Sequence, residues 1–409
     1  MTEQVHLALA LERTGWHPAA WREQTARPRE LSSPGYWRDL LRTADRAGLV
    51  LATIEDALSL ADRFEPIDGL RRDRVRGRLD AVLLASYFAP LTARIGLVPT
   101  VTTAHPEPFH VATGIQTLDF ASRGRAGVRL VAGASAAERA NFGRRTSGVD
   151  AFPASGRVED SPEIAAAFRE AGEFADVLTR LWDSWQDDAV IRDAASGRYV
   201  DADRIHNIDF EGEFFSITGA SIVPRSPQGR PLITVLAHQT VPYRLAAEHA
   251  DLVFTTPHGA EDAAAIRAEL DGAAAVLRSE GRERLRVFAD LLVLVEDTAD
   301  TARRAARRLD DLAGAELASD ARIVVGTAGD VVDEIVSLAE AGVDGIRLRP
   351  ARQPADVAAI AEHVVPLARA AGVLRDADGS NAPGTETTLR SRLQLSRPES
   401  RYVREKVVL

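Results

Sequence analysis

Short apolar runs alternate with stretches of helical period along most of this chain, and few folds accommodate that alternation. The runs lie at residues 5–11, 49–54, 94–101, 125–132, 231–237, 252–255, 285–295 and 344–348. Each is short, largely apolar and bounded by polar or glycine-rich sequence, as expected of a strand buried on both faces. Helical patterning separates most of them, at residues 36–47, 76–91, 109–120, 243–249, 261–279, 298–317 and 330–341, and closes the series at 354–371. Strands alternating with helices imply a parallel sheet. Eight such units close into a (β/α)8 TIM barrel. The competing arrangement is an open doubly wound sheet, but no GxGxxG follows the first run.

Local signals support these elements. Leu40, Leu41, Ala44 and Ala47 share a face, and Gly48 suits the C-terminal cap. In the 76–91 stretch, Leu79, Val82, Leu83 and Ser86 fall near one face. The alternation pauses after the fourth strand, so residues 135–230 form an insertion region. A long helix begins there, with Ser161 as cap and Pro162 in the first turn. Its stripe of Ile164, Phe168, Ala171, Phe174, Leu178, Leu181, Trp182 and Trp185 reads as core packing. FEGEFFSITG after it reads as a hairpin. The expected organisation is one barrel over residues 1–375, with a tail at 376–409 packing on the barrel or on a partner.

Composition excludes several chemistries. The net charge is −10, which argues against nucleic acid as a partner. The only lysine is Lys406, in the polar tail, so Schiff-base chemistry and a phosphate-loop lysine are both missing. Cysteine is absent, removing thiol nucleophiles, iron–sulfur ligation and Cys-based zinc sites. No apolar run approaches the ~20 residues of a membrane span, and no basic start precedes one, so a soluble cytoplasmic protein is expected. In a barrel, chemistry sits at the C-terminal ends of the strands. That rule selects Asp56, Thr102, Thr103, Arg129, His238, Thr255, His258 and Arg349.

Specific strings then carry a resemblance. They are TVTTAHPEPFHVATGIQTLDFASRGRAG, ANFGRR, LWDSW, DFEGEFFSITG with PRSPQGRP, RLAAEHADLVFTT, VVGTAGDVVDEI with AGVDGIRLRP, VVPLARAAGVLR and TLRSRLQLSRPESRY. In this order they resemble the luciferase-like flavin-dependent monooxygenases, in the branch of nitrilotriacetate and dibenzothiophene-sulfone monooxygenases. The resemblance spans nearly the whole chain. It implies reduced FMN supplied by a separate flavin reductase, oxygen activation, a small organic substrate, and assembly as a homodimer or homotetramer. It also implies flavin contacts for Asp56 and Thr102; without it, Asp56 reads as a helix cap and Thr102 as a strand-end residue.

The sequence departs from the family where the FMN phosphate is expected. The family's QAGxSxxG becomes VLAHQTVP, with Ala237, Gln239 and Pro242 replacing two glycines and a serine. Proline offers no backbone donor. The fourth strand carries Arg129 for the family's asparagine, and Phe168 stands for a tyrosine. One reading is a rebuilt phosphate site made of Arg129, His238, Gln239 and Thr240; the other is a decayed or repurposed flavin site. His258 is the candidate for a substrate or general-base role, and a surface loop histidine reads equally well. His105 and His110 flank a Pro-Glu-Pro turn and read as structural, not as metal ligands. Arg347 and Arg349 alternate on the last strand, facing either an anionic group or a salt bridge. A deazaflavin-dependent hydride transfer and a non-catalytic ligand-binding or partner subunit stay open beside the monooxygenase. Metal-dependent and serine hydrolysis lack their motifs.

Overall fold

The computed structural model describes residues 4–60, 71–143, 161–279, 281–375 and 387–403. Four parallel strands come first: β1 (His6–Leu11), β2 (Leu51–Ile54), β3 (Gly96–Thr102) and β4 (Gly127–Val131). Two hairpins follow, β5 (Val190–Asp193) with β6 (Arg198–Val200) and β7 (Asn207–Glu211) with β8 (Ser216–Gly219). Five more parallel strands are β9 (Leu232–Leu236), β10 (Leu252–Thr255), β11 (Arg286–Val295), β12 (Arg322–Gly326) and β13 (Gly345–Pro350). The order is β10-β9-β4-β3-β2-β1-β13-β11, and β10 pairs again with β11. Eight parallel strands therefore close a TIM barrel.

The closing eight are the eight apolar runs of the sequence. β12 is additional. It runs beside Leu291–Val295 of β11, whose earlier residues pair with β10. Its sequence, RIVVG, is only half buried, which is why its apolar signal is short. At the start of β13, Gly345 stands opposite Phe288, whose ring would lie 2.5 Å from any added Cβ. The missing side chain lets that ring cross the barrel floor.

The helices are α1 (Pro34–Ala47), α2 (Ala81–Phe88), α3 (Pro108–Ala121), α4 (Ala136–Phe142), α5 (Pro162–Asp183), α6 (Thr240–His249), α7 (Ala260–Leu277), α8 (Ala299–Ala313), α9 (Ala328–Glu340), α10 (Ala355–Ala359), α11 (Val365–Ala370) and α12 (Leu389–Arg392). α1 is capped by Ser33 and ended by Gly48 at φ 82°. α2 is much shorter than the patterning at 76–91 predicts. Asp80 caps it by accepting from the Leu83 amide, so the arginine-rich stretch before it stays non-helical. Its buried face is Ala81, Leu84, Ala85 and Phe88, whereas Leu83 is 71% exposed. The expected stripe was displaced by two residues. α4, a capping-box helix begun by Ser135, occupies what the sequence reads as loop. No helix among the described residues is long and apolar enough to cross a membrane.

The chain's end closes the lower mouth of the barrel. Leu389, Leu393 and Leu395 pack with Val50, Leu51, Val98, Leu232, Phe254 and Phe288. Most of these are at or near strand N-termini, and Gly96 makes room for Leu389. Among the described residues, this leaves the C-terminal mouth for a ligand.

Candidate functional site

A cavity of about 650 Å³ lies at the C-terminal ends of β2, β3, β4 and β9. Its walls are mostly apolar: Val82 and Leu83 of α2, Val111 of α3, Ile164 and Phe168 of α5, and Leu236 of β9. Asp56, Thr102, Arg129, His238 and Gln239 all line it. Thr240 and His258 do not belong to the lining. Ile164 and Ala167 pack with Phe168 and Val241, so the start of α5 roofs the cavity beside the start of α6.

Asp56 sits in the turn after β2. One carboxylate oxygen accepts from the Ala57 amide at 2.7 Å, the other from the Ala81 amide at 2.9 Å. The second bond satisfies a donor at the start of α2. Burial pushes the Asp56 carboxyl up to about 6, against those two hydrogen bonds. Thr102 donates its hydroxyl to the Gly133 carbonyl at 2.9 Å. Gly133 lies at φ 74°, a conformation that favours glycine, and itself lines the cavity. Glu138 was not singled out in the sequence. It completes the α4 capping box and accepts from the Leu58 amide at 3.0 Å, while Asn141 donates to the Leu58 carbonyl at 2.8 Å. Together they clasp the turn that carries Asp56. The S-x-x-E spacing at 135–138 is the signal that could have found it.

Arg129 lines the cavity, with its guanidinium engaged inside the barrel. It is 5% exposed, donates to Thr100 at 3.1 Å and pairs with Glu55. A guanidinium held by a carboxylate is neutralised as an anion receptor. Glu55 begins a chain of alternating charges across the rest of the mouth. Arg347 lies 3.8 Å from it and pairs with Asp290; Arg349 also pairs with Asp290 and, at 2.6 Å, with Asp320. Asp320 lies 3.4 Å from His238 Nε2. Burial acts to raise the Asp290 carboxyl, but Arg347 and Arg349 hold it below the usual carboxylate range. Arg347 also stacks over Phe254 at 3.8 Å. Both β13 arginines therefore make salt bridges, the second of the two roles open to them from sequence.

Of the remaining candidates, His238 and Gln239 line the cavity, while Thr240 and His258 lie outside its lining. His238 Nδ1 lies 2.7 Å from the Thr256 hydroxyl, and its side chain is 40% exposed. Gln239 is the N-cap of α6 but makes no capping side-chain hydrogen bond. Thr240 donates to Glu269 at 2.7 Å. His258 is exposed; its amide donates to Asp262 at 2.9 Å and its carbonyl accepts from Arg322 at 2.8 Å. His105 stacks on Phe142 at 4.3 Å, while His110 lines the cavity.

The comparisons with known proteins agree with this architecture. A family model described as luciferase-like monooxygenase matches residues 14–345. Nitrilotriacetate monooxygenase component A of Aminobacter aminovorans is 32% identical over 306 residues, covering 74% of this chain and 64% of that protein. N-acetyl-S-(2-succino)cysteine monooxygenase of Bacillus subtilis (strain 168) is 30% identical over 310 residues, covering 76% of this chain and 65% of that protein. The match thus spans less than two thirds of the length of these curated relatives. A solved structure of riboflavin lyase, with modified FMN and riboflavin, superposes with a TM-score of 0.78 at 25% identity over 96% of both chains.

Proposed function

The chain belongs to the luciferase-like monooxygenase family, and from that premise we propose that it is the oxygenase of a two-component flavin-dependent monooxygenase, taking reduced FMN from a separate reductase and oxidising a small organic substrate. The observation that carries this reading is the cavity itself. It joins apolar walls, suited to a planar ring, to Asp56 and Thr102 at the strand ends. When bound, reduced FMN supplies the electrons for oxygen activation. The riboflavin lyase structure, which holds a modified FMN, supports a flavin in a barrel of this shape.

The chain's own groups divide the work. Val82, Val111, Ile164 and Phe168 exclude water and raise the strength of every polar contact inside. Asp56 offers a carboxyl that changes between donor and acceptor near pH 6. The start of α6 opens on the cavity through Gln239 and Pro242 and lacks a side-chain cap, so its first amides suit a phosphate. Pro242 removes one donor from that turn. Arg129 takes no part in holding phosphate in this reading, because Glu55 holds it; its work is to keep Glu55 compensated beneath the cavity.

The test is an anaerobic calorimetric titration with reduced FMN, run beside riboflavin and a deazaflavin. Saturable binding of reduced FMN that is tighter than that of riboflavin supports the reading. Binding of the deazaflavin alone overturns the cofactor and points to hydride transfer. Binding of none of the three overturns catalysis at this cavity.

A further inference from the structure

A second cleft adjoins the first. It measures about 450 Å³ and is lined by Arg13, Arg29, Arg72, Arg74, Arg76 and Arg78. A recess of about 300 Å³, lined by Thr14, Trp16 and His17, continues it and shares Arg13 and Arg74. Glu55 lines the cavity, the cleft and the recess alike, so the three meet at that side chain.

The cleft and the cavity have opposite electrostatic character. Among the described lining residues of the cleft, six guanidinium groups face two carboxylates, Glu12 and Glu55, with Arg13 and Arg78 already engaged by Glu12. Both carboxylates are already compensated. Glu12 lies 3.1 Å from Arg13 and 3.6 Å from Arg78, and Glu55 pairs with Arg129 from the other side. In the cavity, Arg129 is the single arginine or lysine among the described lining residues, facing Glu55, Asp56, Asp80 and Glu138. A substrate anion is therefore disfavoured beside Glu55 and Asp56 and favoured in the cleft, while the flavin phosphate is assigned to the α6 amides on the β9 side of the cavity. Trp21 and Trp37 wall the cleft with their indole N–H groups committed to the Asp73 and Leu31 carbonyls, which leaves their rings as apolar surface. Guanidinium forks match carboxylates and phosphates bidentately.

We propose that this cleft holds the anionic group of the substrate, a carboxylate, sulfonate or phosphate on a small organic skeleton, while the oxidisable end passes Glu55 into the cavity. The proposal rests on the flavin reading of that cavity for the identity of the oxidisable end. The backbone supports a rigid cleft. Gly15 lies at φ 113° where an added Cβ would sit 2.3 Å from the Ala351 carbonyl, and buried His17 is 3.1 Å from Asp310, so the loop after β1 is held on two sides.

The test uses citrate as an anionic probe, titrated calorimetrically into the full chain at two salt concentrations. The Arg29→Gln/Arg74→Gln double variant is compared with the wild type. Arg29 is exposed and Arg74 half buried, so folding should survive, as checked by circular dichroism. The expected result is saturable, salt-sensitive binding that weakens at least about tenfold in the variant, with FMN and riboflavin binding unchanged. Absent citrate binding, or binding the variant does not alter, overturns the proposal. A selective loss of FMN but not riboflavin affinity also overturns it, because the cleft then serves the flavin phosphate. Failure of the wild type to bind reduced FMN sinks the flavin reading instead. The citrate arm runs without flavin and separates the two failures.

Discussion

The two halves of the barrel mouth are built differently. Around β11 and β13, strand-end charges are spent on each other: Asp290 is fully buried between Arg347 and Arg349. Around β2, β3, β4 and β9, the strand ends leave a cavity with apolar walls. The first half is closed by charge pairing, and the second is open because its single arginine is tied to Glu55. Polar residues at a barrel's catalytic end are therefore not equivalent; what each is paired with decides whether it can meet a ligand.

The largest expected effect tests the closed half. Asp290→Ala should cost about 3–5 kcal/mol, because two buried guanidinium groups lose their shared carboxylate. Urea unfolding measures it, and a midpoint within error of the wild type breaks the comparison. Arg129→Ala should destabilise by about 1–3 kcal/mol through the orphaned Glu55. It should leave the ratio of FMN to riboflavin affinity unchanged. A selective loss of FMN affinity in calorimetry would return Arg129 to the phosphate site and erase the distinction between the halves.

Smaller effects sharpen the open half. Pro242→Ala restores an amide at the start of α6. It should tighten FMN roughly fivefold, the value of one hydrogen bond, and leave riboflavin unmoved. Asp56 gives a pH signature. Its folded-state value of about 6 is raised above 3.8, so its stabilising contribution is complete below about pH 4 and lost as pH rises through 6. Asp56→Asn should therefore gain stability relative to the wild type between pH 4 and 7, read from denaturation at each pH. A constant difference across that range refutes the shift. His258→Ala, outside both halves, should change stability by less than about 0.5 kcal/mol and leave flavin affinity alone.

Much of the fold was legible because burial on both faces writes parallel strands as unbroken apolar runs. All eight closing strands announced themselves that way. β12 did not, since it hangs beside β11 with half its surface covered by neighbours. α2 was misjudged in length and face because arginines 72–78 are good helix formers locally, and only Asp80 and Asp56 stop the helix where they do. The site was legible in part. Asp56, Thr102, His238 and Gln239 were found by the strand-end rule and by resemblance, and they do line one cavity. Glu138 was missed, although its capping box was written in four consecutive residues. Of the 71–78 arginines, Arg76 and Arg78 were read only as the start of the 76–91 helix, and the others were not singled out.

The sequence by itself determined the barrel, the family and the chemistries that lysine and cysteine scarcity exclude. Periodicity and composition are local or additive properties, so they survive without coordinates. Tertiary structure decided which charges meet. Arg129 and Glu55 are 74 residues apart, and Arg347 and Asp290 are 57 apart. Closing the barrel brings them into contact, and nothing in either strand's own pattern specifies the partner. An arginine that pairs across the barrel and one that lines a cleft look the same in sequence. They differ only in where the nearest carboxylate lies once the strands have closed.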